Sequence, residues 1–225
     1  LPFINEIISM PAHGELYSSI LEFFGRIVSI APLTIKSELP SLLPFITDSI
    51  SMDNFQLDCA ASFCLRSIAK VLPVSFSQFL PQVVPPLIAL LQSNPDESNG
   101  EEEDDENLNE NVTDYLLSDF AKAQRESMLT LSTFVGYIPQ EMAEYAQNPI
   151  LDFIMSDKGG IHHFLIHSCE SLAYAAEGYK ILGIPLFNII PQIFPLMFDS
   201  ISKKDDIFSI LMLSSEIVAV FGDVM

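Results

Sequence analysis

Along residues 54–72 the apolar side chains Leu57, Ala60, Ala61, Cys64, Ile68, Val71 and Leu72 recur at helical spacing, while Asp58, Ser62, Arg66 and Lys70 mark every fourth position between them. A stripe of this kind has the 3.6-residue period of a helix that buries one face. The polar row allows i,i+4 pairing along the other side. No segment alternates with the period of two that a half-buried strand requires, so the pattern predicts an all-α chain.

The pattern also repeats. A motif reading apolar-Pro-x-apolar-apolar-Pro-apolar-apolar occurs as LPSLLPFITDSI from Leu39, LPQVVPPLIALL from Leu80 and IPQIFPLMFDSI from Ile190, with partial copies at Leu1 and Asn148. Taking Pro2, Pro44, Pro85, Pro149 and Pro195 as register marks gives spacings of 42, 41, 64 and 46 residues. Between the marks run longer amphipathic segments that end in apolar-Pro steps at Pro32, Pro73 and Pro139. Proline has no N–H and disfavours the helical region for the residue before it, so each step ends a helix. The prolines inside the shorter second elements are expected in a first helical turn, where the missing N–H is harmless.

Each unit then reads as two antiparallel helices repeated at about 40 residues, the HEAT-type period. A lone pair cannot cover its apolar faces, whereas a stack of pairs buries a continuous core. The expected fold is an all-α HEAT-repeat solenoid, a right-handed superhelical stack of about five repeats, truncated at both ends. Helices are expected over 2–10, 14–31, 38–51, 54–72, 76–92, 114–138, 140–156, 160–177, 185–202 and 205–221. The organisation expected is repeats over 1–93, an acidic insertion over 94–113 and further repeats over 114–225. With a second helix first and a first helix last, the chain is expected to be an excised piece that self-associates through uncovered apolar ends.

Charge changes this picture at one place. The chain carries 30 acidic and 10 basic residues, a net charge of −20, although charged residues are only 18% of it. The 64-residue spacing holds about 23 more residues than its neighbours, and they include Asp96, Glu97, Glu101, Glu102, Glu103, Asp104, Asp105, Glu106 and Glu110 with no basic residue. Such a block repels itself, extends and stays solvated. It is either a solubilising loop or an arm that attracts basic partners in a salt-dependent way. A surface this acidic repels phosphates, so neither nucleic acid nor an anionic membrane is an expected partner.

The remaining chemistry is sparse. Cys59, Cys64 and Cys169 are odd in number and lack CxxC spacing, which suits a reducing, intracellular compartment. The apolar run 181–198 approaches the length of a membrane span, but three prolines, Asn188 and Gln192 interrupt it, and buried soluble helices explain it better. His162, His163 and His167 with Glu170 have metal-compatible spacing without the HExxH order, and polar helix-start residues account for the first two. No phosphate loop, dinucleotide fingerprint or nucleophile elbow is present, so no enzyme, cofactor or metal is expected. The sequon at Asn111 has no meaning in an intracellular chain.

The block ASFCLRSIAKVLPVSFSQFLPQVVPPLIALLQ over 61–92, the acidic stretch after it and AKAQRESMLTLSTFVGYIPQEMAEY over 121–145 resemble the importin-β (karyopherin-β) nuclear transport receptors. The likeness is nearest to the C-terminal half of the importin-β3 subgroup, and SEIVAVFGD over 215–223 resembles its next repeat. The resemblance implies a receptor that shuttles between cytoplasm and nucleus with basic cargo. It also implies contact with FG-nucleoporins, and Ran-GTP binding mainly through repeats outside this chain. An acidic concave surface suits basic cargo, and the candidate carboxylates on second helices are Glu38, Asp48, Glu141, Glu144, Asp152 and Asp199, with Glu101 to Glu106 in the insertion. A HEAT scaffold of a phosphatase or chromatin complex is the alternative reading.

Overall fold

The computed structural model describes residues 14–50, 54–93, 119–156 and 165–195, the last without 187, 188, 190 and 194. Among the described residues the chain is helical and contains no strand. It divides into two compact units, residues 1–127 and 128–225. The helices expected over 2–10 and 205–221, and the insertion at 94–113, lie outside the described residues.

In the first unit, α1 (Gly14–Ile27) and α2 (Pro32–Asp48) form a pair. The Tyr17 ring near the start of α1 meets the Phe45 ring near the end of α2 edge-on at 5.3 Å, so the two run antiparallel. Pro32 opens α2 at a position where the missing N–H is not needed. Leu39, Leu42, Leu43 and Ile46 are inaccessible or nearly so. Each such side chain contributes about 1.5–3 kcal/mol by leaving water. Next come α3 (Phe55–Val71), the single turn α4 (Pro73–Phe76), a tighter turn Ser77–Phe79 and α5 (Leu80–Gln92). Asn54 caps α3, its side-chain oxygen accepting from the Leu57 N–H at 3.2 Å.

Helices α1 and α3 lie side by side, α2 packs on α3, and α2 also touches α5. Helices α1 and α3 approach closely at Gly25. A Cβ there would meet the Phe63 ring at 2.7 Å and the Cys64 Cα at 3.2 Å, residues 38 and 39 positions further along. Arg26 and Arg66 both lie over that Phe63 ring, at 5.9 and 5.8 Å from its centroid.

The helix α6 (Asp119–Tyr137) crosses the division between the units, and its first half is tied to the first unit by polar and aromatic contacts. The Gln124 amide donates to the Leu90, Leu91 and Ser93 carbonyls at 3.4, 3.2 and 2.9 Å, which supplies the orphaned C-terminal acceptors of α5. Ser127 donates to the Leu87 carbonyl at 2.7 Å, Arg66 meets Glu126 at 3.0 Å, and Phe55 meets Phe120 edge-on at 5.2 Å. Gln124 is 3% exposed, so Gln124→Ala strands buried acceptors. It should lower the stability of the chain by about 2 kcal/mol in urea unfolding.

In the second unit, the other half of α6 is followed by the short helices α7 (Ala143–Tyr145) and α8 (Asp152–Ile154), joined by the wide turn Ala146–Leu151, and then by α9 (Leu165–Leu182). A Cβ at Gly136 would meet the Tyr174 carbonyl oxygen at 2.0 Å and the Ala175 Cα at 3.6 Å. Those neighbours again lie 38 and 39 residues on. From the other side, a Cβ at Gly178 would meet the Val135 carbonyl oxygen at 1.9 Å. Ser132, Ser168, Ser171, Ala175 and Ala176 are all buried on these two helices, and small side chains are what permit backbones so near. Gly183, at φ +68°, ends α9 in the left-handed conformation that glycine adopts without cost.

Two expectations need correction. Pro40 and Pro44 are interior to α2, and Pro85 and Pro86 to α5, because the second helices begin at Pro32 and, after a break, at Leu80. They are not first-turn prolines. The single helix expected over 140–156 is broken, with Asn148 at φ −119° and ψ 121°. Pro149 explains the break, since it pushes Asn148 out of the helical region. The buried Tyr179 hydroxyl reaches across to donate to the Ala146 carbonyl at 3.1 Å.

Candidate functional site

The carboxylates singled out on second helices fall in different settings. Glu38 is half-buried within α2, whereas Asp48 is exposed at its end. In the second unit Glu141, Glu144 and Asp152 are all exposed. No lysine or arginine pairs with these three among the described residues; the ion pairs Arg26–Glu22, Arg66–Glu126 and Lys122–Asp119 lie on α1, α3 and α6. Asp199 and the run Glu101 to Glu106 lie outside the described residues.

The broken segment matters for this group. Glu141 and Glu144 precede the turn at Asn148 and Asp152 follows it, so they do not share one helical face as a continuous helix would have arranged. Two of them act on tyrosines: the Tyr145 hydroxyl donates to Glu144, which raises the pKa of Tyr145. Asp152, together with burial as the larger cause, raises that of Tyr179.

Unlike α2, the segment that runs through α4 and α5 is marked by a lack of charge. The stretch Pro73–Gln92 has no ionisable side chain and is, among the described residues, the one run long and apolar enough to cross a bilayer by length and composition. Seven of its apolar residues, including Phe76, Leu80, Val83, Val84 and Leu87, are buried in the fold. On α2 and α5, Leu33, Thr34, Lys36, Ser37, Pro40, Ser41 and Pro44, and Pro81, Gln82, Pro85 and Ala89, face water.

Three exposed apolar side chains escaped the sequence reading. Ile30, Leu33 and Val74 are 80%, 79% and 88% exposed. The signal was present: Leu33 and Val74 each follow the proline that opens a second helix, 41 residues apart.

The three cysteines are held in their protonated form. Burial pushes the thiols of Cys64 and Cys169 from an ordinary value of 9.0 up to about 12. Cys59 reaches about 12 through burial first and then the charges of Glu126, Asp58 and Asp119. Thiols held protonated in this way are weak nucleophiles at neutral pH. Among the described residues no group of three His, Cys, Asp or Glu side chains could hold a metal ion. His162 and His163 lie outside them, while His167 and Glu170 are half-buried in the first turns of α9.

No family model, no curated protein and no solved structure matches this chain.

Proposed function

We propose that the chain is a protein-binding helical scaffold of HEAT type, part of a nuclear import receptor of the importin-β kind that shuttles between cytoplasm and nucleus. In this reading its second helices and acidic insertion engage basic cargo, Ran-GTP acts mainly through repeats outside the chain, and FG-nucleoporins meet apolar positions on first helices such as Leu16 and Phe23.

The observation that supports the repeat is the recurrence of one contact. Gly25 meets residues 38 and 39 positions on, and Gly136 meets its neighbours at the same two offsets. A fixed offset near the 41-residue spacing of the prolines is what side-by-side stacking of repeated helix pairs produces. Basic cargo is favoured because Glu141, Glu144 and Asp152 are exposed and face no cation among the described residues.

Reversing these three charges tests the reading. A lysine- and arginine-rich peptide of the nuclear-localisation type, titrated into the full chain by fluorescence anisotropy, should bind on the order of tenfold more weakly to the variant E141K/E144K/D152K. Equal affinity for both proteins would remove these carboxylates from the cargo surface.

A further inference from the structure

The chain is acidic overall, yet in α1 to α5 its cations gather at one edge. Arg26 and Lys70 stand in the last turns of α1 and α3, Arg66 one turn before Lys70, and Lys36 near the start of α2. Glu15, Asp48 and Asp58 stand at the opposite ends of these helices, with Glu22 and Glu38 nearer the middle. The Tyr17–Phe45 contact sets α1 and α2 antiparallel, and α3 follows the end of α2 after a short link. Helix α3 therefore starts beside the start of α1, and Gly25 and Cys64 meet in the second half of each. The ends of α1 and α3 and the start of α2 thus share one edge of the first unit.

The same edge carries Ile30, Leu33 and Val74, the most exposed large apolar side chains among the described residues. Leu33 and Val74 each follow the proline that opens the next helix, so they hold equivalent places in neighbouring pairs. Packed helices set such places about 8–10 Å apart. Lys36 follows Leu33 by one turn on the same face of α2, is exposed, and makes no ion pair among the described residues. Arg26 meets Glu22 at 3.7 Å with both side chains largely in water, a pairing of little strength. Apolar side chains set among cations complement a partner that is apolar and anionic together. A polyproline-type stretch returns to one face every three residues, at about 9 Å, which matches the spacing of neighbouring pairs. An anionic lipid surface is the poorer match, because a plane of headgroups meets the field of the whole chain, with its net charge of −20, whereas a peptide meets this edge alone.

We infer that this edge is a docking site for an extended acidic segment of a partner protein with a large apolar side chain at every third position. The apolar side chains seat on Ile30, Leu33 and Val74, and the carboxylates on Lys36, Arg26 and Lys70. The inference is independent of the basic-cargo reading, whose contacts are carboxylates elsewhere on the chain.

A labelled peptide of repeated Leu-Glu-Asp, the same peptide with serine for leucine, and one with lysine for both acids test it. Each is titrated by fluorescence anisotropy into the full chain and into the variants I30S/L33S/V74S and K36E. The serine variant should melt at about the parent's temperature, since the three side chains already face water. The parent should bind the leucine–acid peptide saturably and at least about tenfold more tightly than the serine–acid one. I30S/L33S/V74S should lose at least about tenfold in that affinity and K36E about threefold, while whatever affinity the lysine peptide has should be the same in parent and serine variant. Failure of the parent to bind the leucine–acid peptide, or unchanged affinity in either variant, overturns the inference and leaves the basic-cargo reading standing. An equal loss of the lysine peptide on I30S/L33S/V74S makes the edge a charge-blind apolar dock and overturns it as well. Sedimentation with phosphatidylserine–phosphatidylcholine vesicles closes the test: vesicle binding by the parent that I30S/L33S/V74S lacks would assign the edge to a membrane instead.

Discussion

Gly178→Ala should destabilise the second unit by about 1–3 kcal/mol, although alanine is the better helix former by about 1 kcal/mol. The added Cβ would lie 1.9 Å from the Val135 carbonyl oxygen and 2.6 Å from its carbon, both backbone atoms that cannot swing aside. Gly136→Ala should behave alike, since its Cβ would lie 2.0 Å from the Tyr174 carbonyl oxygen. The helices α6 and α9 would have to part, and the buried Ser132, Ser171 and Ala175 would lose their packing. Gly25→Ala should cost less, because its nearest neighbour is the Phe63 ring at 2.7 Å, a side chain able to yield. Urea unfolding of the three variants checks the order. If Gly178→Ala is as stable as the parent or more so, helix propensity governs and the backbone contact at this crossing is absent.

The second large effect is alkaline unfolding. Folding raises the pKa of Cys64 and Cys169 from 9.0 to about 12, chiefly by burial, and raises that of Tyr179 for the same reason with Asp152 adding to it. A group whose folded pKa is raised binds its proton more tightly in the native state. Its stabilising contribution is complete below the unfolded pKa and is lost as pH rises toward the folded one. Stability should therefore be flat up to about pH 8.5 and then fall. Each fully buried thiol removes about 1.4 kcal/mol per pH unit, so Cys64 and Cys169 together remove nearly 3. Cys59 is only half-buried and adds less, and Tyr179 joins above about pH 10. Urea unfolding between pH 7 and 10.5 gives the slope directly. The variant C64A/C169A, whatever its stability at pH 7, should lose most of that slope; an unchanged slope would mean that these thiols ionise as freely in the native state as in the unfolded one.

How much of this could be read from the residues depends on which physical term decided each feature. The boundary at Asn54 was legible because a capping side chain and an apolar period coincide there, and the observed helix begins one residue later. The all-helical character was legible because apolar residues recur at helical spacing and no segment alternates with a period of two. Pro40, Pro44, Pro85 and Pro86 were misread because proline's preference for a first turn is a local rule. Here buried Leu39, Leu42, Leu43 and Ile46 on the opposite face of α2 hold the helix together through its prolines. The break at Asn148 follows from Pro149, yet the same residue type is tolerated within α2, so sequence alone does not separate the two outcomes.

The candidate surface was less legible than the fold. Counting carboxylates picked out Glu141, Glu144 and Asp152 as candidate cargo contacts on one second helix, but the helix beneath them is broken at Asn148. Ile30, Leu33 and Val74, all largely exposed, were not singled out, because an apolar residue beside a proline gives no sign by itself of which way it faces.

The claim that joins these features is that a stack of helix pairs offers an acidic surface to basic polypeptides. It is tested most directly by titrating one arginine-rich peptide and one glutamate-rich peptide of equal length into the full chain, each at low and at physiological ionic strength. Saturable binding of the arginine peptide that weakens as salt shortens the reach of the charges, with no binding of the acidic peptide, is the predicted result. Absence of saturable arginine-peptide binding at low salt, or equal affinity for the two peptides, would contradict it.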